Sequence, residues 1–219
     1  MKRTIAALGV GVALALGGCI NIGGKDNGPA VVHYVLSDAT PAASPAPVRA
    51  DVTEDSGFPR SEARGDVSAP TLLVLDTTAG SFYDTDQIVF SRSAGTRGQY
   101  QFARWTERPG KRFAGLMRSR LDRQGAWRVS DTGGYARGDM LLDTELVEFY
   151  HDAVANPGQV RLVLRAELLD LKQRKLLGRR EFEQRVAVAS YDAKGAAEAS
   201  NVAVGRVLDD LLAWLATFQ

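Results

Sequence analysis

Gln159-Val160-Arg161-Leu162-Val163-Leu164-Arg165-Ala166-Glu167-Leu168-Leu169-Asp170-Leu171 is the stretch whose reading decides the fold. Leu162, Leu164, Ala166 and Leu168 alternate with Arg161, Arg165 and Glu167. A period of two marks a strand with one face buried and the other in water. Its neighbours repeat the pattern. Asn156-Pro157-Gly158 separates it from an upstream strand over Asp139–Tyr150. A polar turn at Lys172–Lys175 leads to Leu176–Ala189, where Phe182, Val186 and Val188 oppose Glu181, Glu183 and Arg185. Three such strands joined by turns make a meander with one apolar and one charged face.

Downstream, Val204, Val207, Leu208, Leu211, Leu215 and Phe218 recur at helical spacing and predict a helix over about Ala196–Thr217. Upstream, Phe113, Leu116, Met117 and Leu121 form the apolar stripe of a helix over Lys111–Gln124, with Arg112, Arg118, Arg120 and Arg123 outside it. Pro109-Gly110 leads into that helix and Gly125 ends it. Gln87–Arg92 and Gln99–Trp105 read as a hairpin around Gly95–Gly98, and Leu72–Leu75 as a strand apolar enough to be covered on both faces. Val31–Leu36 is the opening strand. Ser37–Pro70, with five prolines among Ala, Ser, Asp and Arg, is expected to be a flexible insertion with little to bury. The order implies an α+β fold: a largely antiparallel mixed sheet with two main helices on one face, built as one domain over residues 30–219.

The N-terminus carries a different signal. Lys2 and Arg3 precede an uncharged run from Ile5 to Leu16, shorter than the roughly 20 apolar residues a bilayer span requires. Leu16-Gly17-Gly18-Cys19 completes a signal peptide over residues 1–18 of the lipoprotein type, cut between Gly18 and Cys19. Cys19 would then carry a diacylglyceryl thioether and an N-acyl chain, enough for lasting anchorage. Residues 19–29 read as a tether holding the body about 15–20 Å from its membrane. The chain has 27 basic and 26 acidic residues, and loss of Lys2 and Arg3 with the signal leaves one more acid than base. That balance argues against nucleic acid as a partner. With the only cysteine acylated, no thiol remains for a disulfide, a metal or catalysis.

Chemistry-bearing motifs are few. His33 and His151 stand in no metal-ligand spacing, and neither a Gly-x-Ser-x-Gly elbow nor a Ser-x-x-Lys pair is present, so no catalytic residue, metal or cofactor beyond the lipid on Cys19 is assigned. Asp143 and Glu145 share a strand face about 7 Å apart, a separation some glycosidases use, but an alternating solvated face needs no such cause. The first helix's arginines suit lipid headgroups or an acidic partner, and equally a solvated face. Tyr100, Phe102 and Trp105 are closely spaced aromatics on one strand. They could line an interface, a subunit contact or a ligand groove, or they could simply pack in the core.

Taken together, the order of these features resembles the ABC-type transport auxiliary lipoproteins, the PqiC-like family. The resemblance rests on the lipobox, His33-Tyr34-Val35-Leu36, Leu72–Leu75 and Gln87-Ile88-Val89-Phe90-Ser91-Arg92. Its most specific part is Tyr100-Gln101-Phe102-Ala103-Arg104-Trp105-Thr106-Glu107-Arg108-Pro109 before the helix. Leu141–Phe149, Leu168-Leu169-Asp170 and Leu211-Leu212-Ala213-Trp214-Leu215 complete it. The resemblance implies a non-catalytic outer-membrane lipoprotein facing the periplasm. Its partners would be a periplasmic MCE-domain protein with its ABC permease and ATPase, together with membrane lipids. Ile20 after Cys19 agrees with outer-membrane sorting, since aspartate there is the usual retention signal. Self-association is a further assembly open to the aromatic strand, and an envelope lipid-binding or hydrolytic enzyme using surface carboxylates is the alternative function.

Labelled palmitate is expected to enter the protein, and Cys19→Ser to abolish labelling and accumulate uncleaved precursor. Unchanged labelling in that variant would end the lipoprotein assignment.

Overall fold

In the computed structural model, which describes residues 29–39, 69–131 and 137–218, the chain runs through nine strands and two helices. They are β1 (Val32–Tyr34), β2 (Thr71–Val74), β3 (Thr78–Ala79), β4 (Gln87–Ser91), β5 (Gly98–Trp105), α1 (Pro109–Gln124), β6 (Arg128–Ser130), β7 (Met140–Asp152), β8 (Gln159–Asp170), β9 (Lys175–Ala187) and α2 (Ala193–Leu215). The signal, Gly18 and Cys19, the tether up to residue 28 and residues 40–68 of the expected insertion lie outside the described residues. The compact unit that holds all these elements spans Val31–Gln219.

The meander is present in the expected order: β7 pairs antiparallel with β8 over Met140–Asp152, and β8 with β9 over Gln159–Asp170. The Gly158 turn between the first two has φ +83, and a Cβ there would fall 2.1 Å from the carbonyl oxygen of Asp152, so only glycine fits. The other side of β7 is shared end to end by three short strands, all parallel to it. β2 pairs at Leu72↔Met140, β3 at Thr78↔Glu145 and β4 at Phe90↔His151. Antiparallel β5 and then parallel β1 extend the sheet beyond β4, and parallel β6 extends it beyond β2. The sheet is therefore mixed and mostly antiparallel by length of pairing, with a parallel half that short strands build. β3 and β6, at two and three residues, are too short to show any period in the sequence.

A bulge in β7 sets which residues reach the core. Leu146 faces Leu164 and Glu148 faces Val163, leaving Val147 as an extra residue. Before the bulge, Leu142, Thr144 and Leu146 point inward; after it, Phe149 and His151 do. Leu142, Leu146 and Phe149 join Leu162, Leu164, Ala166 and Leu168 of β8, Phe113, Met117 and Leu121 of α1, and Val204, Val207, Leu208 and Leu211 of α2 in one apolar cluster. Both helices thus cover one face of the sheet. α1 ends at Gly125, in the left-handed region at φ 74, as its glycine signal required. Asp192 caps α2 by accepting from the Gly195 N–H at 2.8 Å, a bond that holds its carboxyl below the usual range.

The arginines of α1 are neither simply solvated nor free for a partner. Arg112 donates to the Leu36 carbonyl at 2.9 Å, and Arg118 to the Val74 carbonyl at 3.1 Å and to Asp76. Arg120 donates to both carboxylate oxygens of Asp38 and to Asp209 of α2, and this pairing raises its already high pKa. The periodicity showed these residues outside the apolar stripe; it could not show that neighbouring segments would fold back onto them.

Leu211 is fully buried, so Leu211→Ala should destabilise by about 2–5 kcal/mol. Asp210 is exposed and accepts a surface hydrogen bond from Gln184, so Asp210→Ala should cost about 0.5 kcal/mol or less. Urea unfolding of the two variants checks the phase of the helix; equal costs would refute it.

Candidate docking surface

The three aromatics singled out on β5 go to three environments. Trp105 is 3% exposed and stacks on Phe149 at 5.8 Å between ring centres, so it belongs to the core rather than to a surface. Tyr100 is half-buried, and Phe102 is 41% exposed. An irregularity in β5 separates them. Gln87 of β4 faces Arg104 while Val89 faces Gln99, so two steps of β4 are matched by five of β5. The surplus residues carry Phe102 outward while Tyr100 remains turned toward β7.

Tyr100 is held there by His151. Nε2 of His151 lies 2.7 Å from the Pro157 carbonyl, which requires a proton on that nitrogen. The Tyr100 hydroxyl, 2.8 Å from Nδ1, then donates to the ring. His151 is 1% exposed, and the Tyr191 ring meets it edge-on. Burial pushes the Tyr100 hydroxyl up to about 12, so it keeps the proton it donates. Both ring nitrogens are occupied by structural bonds. This is a packed polar pair that fixes the β7–β8 turn against β5, with no nitrogen left for proton transfer to a substrate.

Beyond Tyr100 the surface opens into a cleft of about 320 Å³ lined by Tyr34, Tyr100, Phe102, Ala103, Asp192 and Lys194 among others. It lies between the end of β1, the irregular part of β5 and the start of α2. Val31, Val32 and Val35 are also exposed on and beside β1. The result is a rim of apolar and aromatic side chains at one edge of the sheet. Tyr34 and the valines belong to it although they read in the sequence only as an opening strand. Their exposure depends on β1 being an edge strand, which no local pattern reveals.

The remaining candidates lie elsewhere. His33 is exposed on β1. Asp143 and Glu145 sit on the charged face of β7, beside a depression of about 90 Å³ shared with Thr78, Arg165 and Glu167. Arg165 bridges Glu145 and Glu181, each at 2.7 Å, and Arg161 likewise bridges Glu148 and Glu183. Such exposed pairs contribute little stability each, but they leave Glu145 engaged. Among the described residues, no group of three or more His, Cys, Asp or Glu side chains could hold a metal ion, and no helix is long and apolar enough to cross a membrane.

Comparison with known proteins puts this geometry in context. The family model of the ABC-type transport auxiliary lipoprotein component matches residues 57–211. Protein XCC0632 from Xanthomonas campestris, of the DUF330 family, is similar in structure with a TM-score of 0.62 at 20% identity. The alignment covers 68% of this chain and 88% of that one. An uncharacterised protein of known structure aligns with a TM-score of 0.58 at 13% identity, over 67% of this chain and 93% of its own. No curated protein matches the chain.

Tyr100→Phe should leave the buried Nδ1 of His151 without a donor and cost about 1–3 kcal/mol. Phe102→Ser, which removes an exposed ring, should change stability by about 0.5 kcal/mol or less. Denaturant midpoints of the two variants test the division between packed and free aromatics; a large loss for Phe102→Ser would place that ring in the core.

Proposed function

The chain belongs to the family of ABC-type transport auxiliary lipoprotein components, and from that membership we propose that it is a non-catalytic adaptor of an MCE-type lipid transport system. It is anchored by acylated Cys19 to the outer membrane, faces the periplasm and docks the periplasmic MCE-domain protein, whose permease and ATPase supply the work. The observation that carries the reading is the apolar rim at β1 and β5. Phe102 stands 41% exposed there, beside an open cleft and three exposed valines. Aromatic side chains that a fold leaves outside its own core are the usual anchors of interfaces. The acylated cysteine sets where that rim can work, since a short tether keeps it near one membrane. Assistance to lipid passage follows from position: the adaptor holds the end of the conducting protein against the membrane that gives or receives lipid.

The alternative, an envelope hydrolase using Asp143 and Glu145, is less well supported because Arg165 already pairs with Glu145 at 2.7 Å. Neither residue is part of the proposed docking rim.

Co-purification with a periplasmic MCE-domain protein of the same organism should succeed with the native chain. Phe102→Asp should weaken that binding about tenfold or more at unchanged melting temperature. Asp143→Asn and Glu145→Gln should leave transport phenotypes intact. Measurable turnover of lipid or glycan that disappears with either carboxamide would overturn the adaptor reading.

A further inference from the structure

Among the described residues β1 has one paired side and one bare side, and the structure identifies which residues face each. The Thr106 N–H donates to the Tyr34 carbonyl at 2.9 Å, so Tyr34 directs its backbone polar groups toward β5. Backbone direction alternates along a strand, so Val32 does the same, whereas Val31, His33 and Val35 direct their N–H and C=O groups away from the sheet. Among the described residues β1 pairs with β5 alone. A bare edge is a template for another strand, and folded proteins usually blunt it with charge. The edge strand at the far side of the meander is blunted in this way: β9 carries Arg179, Arg180, Glu181, Glu183 and Arg185. By contrast, Val31-Val32-His33-Tyr34-Val35-Leu36 holds no Asp, Glu, Lys or Arg, and its valines at 31, 32 and 35 are 43%, 49% and 55% exposed.

Charge also limits what can occupy this edge. The ionic groups that border it are already matched within the chain. Arg104 pairs with Asp86 at 3.0 Å, and Lys194 pairs with Glu198 at 4.0 Å and interacts electrostatically with Asp192. A charged occupant would find these groups already partnered and would lose hydration, whereas an uncharged strand gains backbone hydrogen bonds and covers exposed valine surface. We propose that the bare edge of β1 receives an uncharged, extended segment of the docking partner by β-strand addition. The bonds are made to the backbone of His33 and its outward-facing neighbours, and the segment's apolar side chains cover the valines. This inference rests on the adaptor reading above and adds to it the mode of docking.

The test uses the full acylated lipoprotein in detergent micelles and the soluble periplasmic MCE-domain protein. His33→Pro removes an outward N–H without touching a bond to β5, since proline is tolerated on an edge whose N–H faces outward. His33→Ala removes the same side chain and keeps the N–H. Strand addition predicts that His33→Pro weakens binding about tenfold more than His33→Ala. It also predicts that in the native protein the amides of His33 and Val35 exchange rapidly when free and slowly in the complex. If the two substitutions weaken binding equally, or the two amides still exchange rapidly in the complex, strand addition is overturned while the adaptor reading stands. Slow exchange of both amides in the isolated monomer would assign the edge to the chain's own residues, and protection that grows with its concentration would assign it to a second copy. Either result overturns the proposal. Absence of binding by the native protein overturns this inference together with the adaptor reading. Should His33→Pro fail to fold, the amide-exchange measurement on the native complex decides alone.

Discussion

β7 hydrogen-bonds to β8 along its whole length on one side and to β2, β3 and β4 in turn on the other. A strand of thirteen residues can serve so many partners only if its inward residues stay in phase with the core that both helices share. The surplus residue at Val147 achieves this. It moves the inward phase from Leu142, Thr144 and Leu146 to Phe149 and His151, and the same step twists the strand. Without the bulge, Phe149 would leave Trp105, His151 would leave Tyr100, and Glu148 would be driven toward the apolar layer.

The apolar rim at β1 and β5 depends on that phase shift at one remove. Tyr100 is fixed through His151, and His151 points inward only because of the bulge. With Tyr100 anchored, the irregular part of β5 is free to turn Phe102 outward beside β1. The same bonds engage both nitrogens of the buried histidine, one with a carbonyl and one with a hydroxyl. On the far side of the sheet, alternating arginines and glutamates satisfy one another across β7, β8 and β9. That face is soluble without a partner, which leaves the apolar rim as the surface with most to gain from one.

α1 contributes a second set of constraints. Its arginines reach the segments on either side of it: Leu36 and Asp38 after β1, Val74 and Asp76 after β2, and Asp209 on α2. Arg120 and Asp38 are largely shielded from water, so their pair is less screened than the exposed pairs on the sheet. These clamps fix where the chain leaves β1.

Wherever a segment was long enough to show its period, the sequence by itself determined the element. The alternation in Gln159–Leu171 and its neighbours specified the meander, and the apolar stripes of both helices specified which faces are buried, because hydrophobic periodicity is local information. The family was legible too, through the run from Tyr100 to Pro109. The tertiary structure decided what depends on residues distant in sequence: the parallel placement of β2, β3 and β4 along β7, the two-residue and three-residue strands, and the recruitment of arginines by segments far along the chain. It also separated three aromatics that look alike in sequence into a core ring, a ring bonded to histidine and an exposed ring. The physical reason is that burial is a property of neighbours: a strand's own residues encode which way its side chains alternate, but only the strand beside it determines whether its edge is open.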